Sequence, residues 1–188
     1  MKNIIMFYVG AVNMAELEKK LQQRLNLRYF SHIDLIWEEY ELKSELGIKT
    51  YKYIKEQYLP ETDVIFELLE SYFMRPNDLP GMLFSPFFEK QNWVKLLKLH
   101  KVCQHQLCII HFHETVEQHY KKSLEDLNPY AHQIPNYEEK LWQRAQEHNQ
   151  VIQERITLTS KYPDKLILDA YLPLEEQYKH IVALYEAK

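Results

Sequence analysis

A chain of 188 residues, 46% hydrophobic and 27% charged, has enough apolar material for one real core and the balance of an ordinary soluble protein. Its net charge of -4 excludes the basic surface that nonspecific nucleic-acid binding requires. No apolar run is long enough to span a bilayer, and the first residues lack a secretory leader's cationic start and small-residue cleavage site. The expected setting is therefore the cytoplasm, with neither nucleic acid nor membrane as partner.

In chain order, 3–8 reads as a short apolar strand and 15–24 as a helix with Leu17, Leu21 and Leu25 at helical spacing. A second strand is predicted at 27–31, and a charged, tyrosine-rich helical pattern runs over 35–56. Residues 61–73 place Val64, Ile65, Leu68, Leu69 and Tyr72 on one helical face. Further strands are predicted at 81–85, 107–113 and 165–169, and helices at 93–100, 115–124, 137–157 and 173–187. The segment 125–135, with Asn128-Pro129 and Pro135, reads as a loop. Short, near-continuously apolar strands alternating with helices predict a three-layer α/β/α fold around a five-stranded parallel sheet. Cys103 and Cys108 are not in a CxxC pair and read as free thiols.

The turn after the first strand decides most about function. Strand 3–8 leads through Val9, Gly10, Ala11, Val12 and Asn13 into a helix, which is the setting of a phosphate-binding GxxxxGK[ST] loop. Such a loop wraps phosphates with backbone N–H groups, reaches them with a lysine and holds Mg²⁺ with a hydroxyl. Here Gly10 alone is kept, and Asn13, Met14 and Ala15 stand where Lys, Gly and Ser/Thr are needed. With three glycines in the whole chain, at 10, 47 and 81, no glycine-rich cradle can be built elsewhere.

The rest of the chain resembles the adenylate kinase family of nucleoside monophosphate kinases in the order and spacing of its landmarks. Ser31-His32-Ile33-Asp34-Leu35-Ile36-Trp37 stands where that family has S-x-G-D, two hydrophobics and Arg. Leu46-Gly47, then Tyr53-Ile54, then the stretch from Leu59-Pro60 to Leu68-Leu69 follow the family's next helices. The GFLLDGFPR landmark is matched by Gly81 through Glu89, the E-x-x-x-x-R landmark by Glu117 and Lys122, and EExxxxR by Glu138, Glu139 and Arg144. The closing IDG-x-x-P-x-EE pattern is matched by Leu168 to Glu176. The resemblance implies one domain over 1–188, with a helical monophosphate-binding insertion over 32–75 and a vestigial lid over 123–136.

The resemblance also shows what is missing. Family arginines fall on Trp37, Glu89, Lys122 and Gln133, and only Arg144 keeps its guanidinium. The Asp tied to Mg²⁺ in the family is Ser85, the Gln reading the monophosphate adenine is Trp93, and the Gly near the ATP adenine is Ala170. Phosphoryl transfer depends on positioning and on neutralising phosphate charge. Each charged stabiliser is typically worth several kcal/mol of barrier. Their joint loss implies a catalytically inactive pseudokinase with a binding or regulatory role, acting on a protein partner or a small-molecule ligand, with no catalytic residue and no metal ligand assigned. The alternative is an atypical nucleotide or small-molecule kinase that keeps weak nucleotide binding, for which ATP and Mg²⁺ are the cofactors.

Residues left to hold a nucleotide are Gly10, Asn13, Ser31, Asp34, Lys122 and Arg144. Ser31 and Asp34 serve either a ligand or the start of the following helix. Lys122 and Arg144 either receive an anion or are solvated helix charges. His111 and His113 alternate along a strand, so both point to one face, toward the crevice beyond the strand ends. With Glu114, His119 or His105 they contain metal-binding residue types but no recognised ligand spacing. Phe84, Phe87, Phe88, Trp93 and Trp37 read either as a core that has filled an emptied pocket or as an apolar ligand or partner groove.

Overall fold

The computed structural model describes residues 1–7, 14–75, 80–84, 90–125 and 136–187, with 90–93 described for the backbone alone. Five strands form one all-parallel sheet in the order β2-β3-β1-β4-β5. They are β1 (Lys2–Phe7), β2 (Arg28–Tyr29), β3 (Met82–Phe84), β4 (Gln106–His113) and β5 (Lys165–Asp169). The helices of the described residues are α1 (Met14–Leu25), α2 (His32–Glu41), α3 (Glu45–Lys55), α4 (Thr62–Phe73), α5 (Lys90–Val102), α6 (Val116–Glu125), α7 (Tyr137–Leu158) and α8 (Leu174–Glu186). All five predicted strands are found, each within two residues of its expected bounds at either end.

Alternation along β1 builds both halves of the core. Ile5 and Phe7 face a cluster with Leu35 and Ile36 of α2, Leu68 and Leu69 of α4 and Leu96 and Leu97 of α5. Ile4 and Met6 face the opposite side, where they meet Leu17 and Leu21 of α1 and Ile181 of α8. β1 pairs with β4 from Lys2↔Gln106 through Phe7↔His111 and with β3 at Ile4↔Leu83 and Ile5↔Phe84. β1 and β4 are thus buried on both faces, which is why their sequences are apolar almost throughout. At the start of β3 a side chain on Gly81 would lie 1.9 Å from the Lys2 carbonyl oxygen, so only glycine allows the two strands this approach.

The helical pattern expected over 35–56 is two helices. The chain turns at Lys43, whose φ is 55°, and Ser44 caps α3 by accepting from the Gly47 N–H at 2.9 Å. α3 folds back on α2 so closely that a Cβ on Gly47 would lie 2.2 Å from the Glu39 carbonyl carbon. The turn is locked by Glu39, a carboxylate with 2% exposure that accepts from Ser44 Oγ at 2.6 Å, Ser71 Oγ at 2.5 Å and Arg75 at 2.6 Å. Burial alone would raise the Glu39 pKa, but the serines and Arg75 together lower it below its ordinary value. No helix of the described residues is long and apolar enough to cross a membrane.

Candidate functional site

Open parallel sheets bind ligands beyond the carboxyl ends of their strands. In this chain that end is built by Phe7 at the close of β1, by His111 to Glu114 at the close of β4, by Asp169 to Tyr171 after β5, and by α6 and α7 above them.

The centre is an aromatic stack. The His111 imidazole lies on the Phe7 ring with centroids 4.8 Å apart and planes 7° apart. His111 Nε2 is 2.7 Å from Thr159 Oγ1, just beyond the C-terminus of α7. Thr159 in turn donates to the Arg155 carbonyl oxygen at 2.9 Å. At 1% exposure His111 is covered, so it does not face an open crevice as expected; the α7 terminus and Phe7 close over it. Burial, reinforced by Arg155 and Lys165, drives its pKa down to about 4, and the ring is neutral at pH 7. His113 points to the same face of β4 and is half-buried.

Arg155, one turn before Thr159, lies over the Phe7 ring at 5.5 Å. It is half-buried, and burial lowers its pKa. Among the described residues no carboxylate lies within ion-pair distance of it, leaving the ring quadrupole as its compensation. Arg155 therefore presents a positive charge beside the end of β1. The sequence reading missed it, because it stands in a long polar helix outside every family landmark.

The second constellation surrounds Glu114. A reciprocal pair starts α6: the Gln118 N–H donates to Thr115 Oγ1 at 3.1 Å and the Thr115 N–H to Gln118 Oε1 at 2.7 Å. This fixes Glu114 at the strand-to-helix corner, where its carbonyl accepts from Asn149 Nδ2 of α7 at 3.1 Å. The Glu114 side chain is 2% exposed. Its Oε1 lies 2.6 Å from His119 Nδ1 and 3.4 Å from His148 Nε2, and the two imidazoles stack at 4.5 Å. The Tyr171 hydroxyl lies 3.5 Å from Oε2. The loop after β5 aims that tyrosine: Ala170 N–H donates to the His113 carbonyl at 2.9 Å, and Tyr171 N–H to Asp169 Oδ1 at 2.8 Å. Burial pushes the Glu114 carboxyl up, but the two histidines outweigh it and hold the group below its ordinary range.

Of the residues singled out for a nucleotide, Ser31 and Asp34 stand at the start of α2, Lys122 on α6 and Arg144 on α7. Ser31 caps α2, its Oγ accepting from the Asp34 N–H at 3.2 Å; Asp34 itself stands in the first turn rather than at the cap. Asp34 is 3.9 Å from Arg28, which also pairs with Glu38. Lys122 is half-buried on α6, and Arg144 is exposed on α7, one helical turn before His148. Gly10 and Asn13 lie outside the described residues, as do Ser85, Glu89, Phe87, Phe88, Gln133 and the side chain of Trp93. Phe84 is core, packed on Phe30 at 5.3 Å. Trp37 does not join it: it is 41% exposed and packs edge-on to Tyr40 and Tyr51. A separate cleft of about 290 Å³ opens between α2 and the α3–α4 connection, lined by Ile33, Ile36, Tyr53, Ile54, Tyr58 and Leu59.

No protein-family model matches the sequence, and no curated protein sequence matches it. Solved structures do. A gluconokinase from Sinorhizobium meliloti 1021 is similar over 98% of this chain and 91% of that one, with a TM-score of 0.50 at 11% sequence identity. At that identity the likeness shows the α/β fold alone and does not show the adenylate kinase family.

Proposed function

We propose that this chain is a kinase-fold protein that has lost phosphoryl transfer and serves as a binding or regulatory protein for a small-molecule ligand or a protein partner. The observation that carries the reading is the closed carboxyl end of β1 and β4. Where a phosphotransferase presents fixed charge to phosphate oxygens, this chain puts a buried, neutral His111 stacked on Phe7. The substitutions at Asn13, Ser85 and Glu89 support the same reading, since they remove the lysine, the metal-linked carboxylate and an arginine. In this reading α2–α4 corresponds to the monophosphate-binding insertion, and its apolar cleft suits a ligand or side chain without phosphate. A cytoplasmic setting fits the free Cys103 and Cys108.

One observation favours the second reading, an atypical phosphotransferase with weak nucleotide binding. Arg155 sets a positive charge beside the end of β1 that the lost loop lysine would otherwise supply.

Thermal unfolding with Mg-ATP, AMP and a bisubstrate adenosine polyphosphate tests the choice, alongside an assay for ADP release. A ligand at a hundred times its Kd stabilises the native state by about 2.7 kcal/mol. The expected result is no shift at millimolar nucleotide and no turnover. A clear shift that disappears in Arg155→Ala or Arg144→Ala would replace the binding-protein reading with the second one.

A further inference from the structure

We infer that Glu114, His119 and His148 form a binding site for a divalent transition metal, with Zn²⁺ as the best-suited ion. The inference stands apart from the question of phosphoryl transfer. It rests on three side chains that the fold brings together from the β4–α6 corner, the first turns of α6 and the middle of α7.

One ligand atom from each residue lies within 4.8 Å of the other two. Both imidazoles turn a ring nitrogen toward the same carboxylate oxygen, at 2.6 and 3.4 Å. A tetrahedral zinc bound at about 2.0–2.2 Å sets its donors roughly 3.3 Å apart. His148 already stands at that separation from Glu114, His119 needs to withdraw by about 0.7 Å, and the two stacked imidazoles must turn toward each other so that both ring lone pairs meet one ion. His148 Nε2 is covered from solvent and faces Glu114 Oε1 at 3.4 Å without a well-formed hydrogen bond, so the site holds it close but does not saturate it. Two imidazoles and one carboxylate select a borderline ion such as Zn²⁺ over Mg²⁺ or Ca²⁺, which prefer all-oxygen shells.

The surroundings are those of a cation site. The Tyr171 hydroxyl supports Glu114 Oε2 from behind, and the Asn149 amide fixes the Glu114 main-chain carbonyl. His119 and His148 are 26% and 32% exposed, whereas Glu114 is 2% exposed. The ion would sit on a buried carboxylate, flanked by two partly exposed rings. That leaves a fourth position for water or for an anionic group of a ligand in the strand-end crevice.

The test uses the full chain after chelation and dialysis. Zn²⁺ is titrated against a chromophoric chelator, and bound metal is counted by elemental analysis. The expected result is one Zn²⁺ per chain, with affinity weakened more than about 100-fold in His119→Ala and His148→Ala and about 10-fold in Tyr171→Phe, which alters only the outer support. His180→Ala, on the exposed face of α8, leaves it unchanged. Because truncation near a buried carboxylate can disturb folding, diethyl pyrocarbonate labelling of the unmodified protein provides a second readout. Zn²⁺ should protect His119 and His148 and leave His180 reactive. Binding below one equivalent, affinity indifferent to the histidine variants, or equal labelling with and without Zn²⁺ would each overturn the site.

Discussion

Two buried histidines make this fold sensitive to mild acid. His111 and His100 are each 1% exposed, and each has its pKa lowered from 6.5 to about 4. For His111 the causes are burial, then Arg155 and Lys165. For His100 burial dominates, opposed by its bond to the Leu96 carbonyl and aided by His105. Both rings are neutral in the fold, while the unfolded chain takes up protons below pH 6.5. Stability is therefore fully present above 6.5 and falls as the pH drops through the window from 6.5 to about 4. At about pH 5 the linkage relation gives a loss of about 2 kcal/mol for each ring, or about 4 kcal/mol together. Against a typical domain stability of about 5–15 kcal/mol, that is a large fraction. Urea unfolding at about pH 7.5 and about pH 5 measures it, in the unmodified chain and in His100→Gln/His111→Gln. The double variant starts less stable because it loses packing against Phe7, Phe73 and Phe84, but its drop between the two pH values should be about 4 kcal/mol smaller. A drop below about 1 kcal/mol in the unmodified chain, or the same drop in the double variant, would refute the placement of these rings in the core.

Two further substitutions test the helical segment between β2 and β3. Gly47→Ala gains about 1 kcal/mol of helix propensity, but its new methyl would lie 2.2 and 2.3 Å from the Glu39 carbonyl carbon and oxygen. Backbone cannot yield as a side-chain tip does, so a net loss of about 2 kcal/mol or more is expected in urea unfolding, and a neutral or stabilised variant would contradict the close α2–α3 crossing. Arg75→Ala strands the Glu39 carboxylate, 2% exposed, with two serine hydroxyls as its remaining partners. The expected cost is about 3–5 kcal/mol at neutral pH. Without the guanidinium, burial raises the Glu39 pKa, so that cost should shrink as the solution is acidified and the carboxyl takes up a proton. A cost independent of pH would assign the effect to lost packing instead.

The strands and their order of appearance were legible because fully buried parallel strands leave unbroken apolar runs, as Ile4 to Phe7 and Leu107 to Ile110 do. Local chemistry was legible in part: Ser31 ahead of α2 acts within three residues, so spacing alone exposes it, whereas the Thr115–Gln118 pair that starts α6 was found in the structure. The loss of the lysine and glycines from the first turn is likewise a property of the chain by itself. What sequence could not decide is anything that depends on distance across the fold. The break between α2 and α3 hides inside one helical periodicity, because the reversal at Lys43 needs only one left-handed residue and a serine cap. His111 reads as a crevice residue until Thr159, 48 positions away, closes over it and makes it a neutral core group. Arg155 and His148 sit in a polar helix whose composition says only that it is solvated. Packing α7 over the ends of β1 and β4 sets one against Phe7 and the other beside Glu114. Periodicity records which face of a helix is buried, whereas a site is a meeting of faces, and that meeting exists only once the chain has folded.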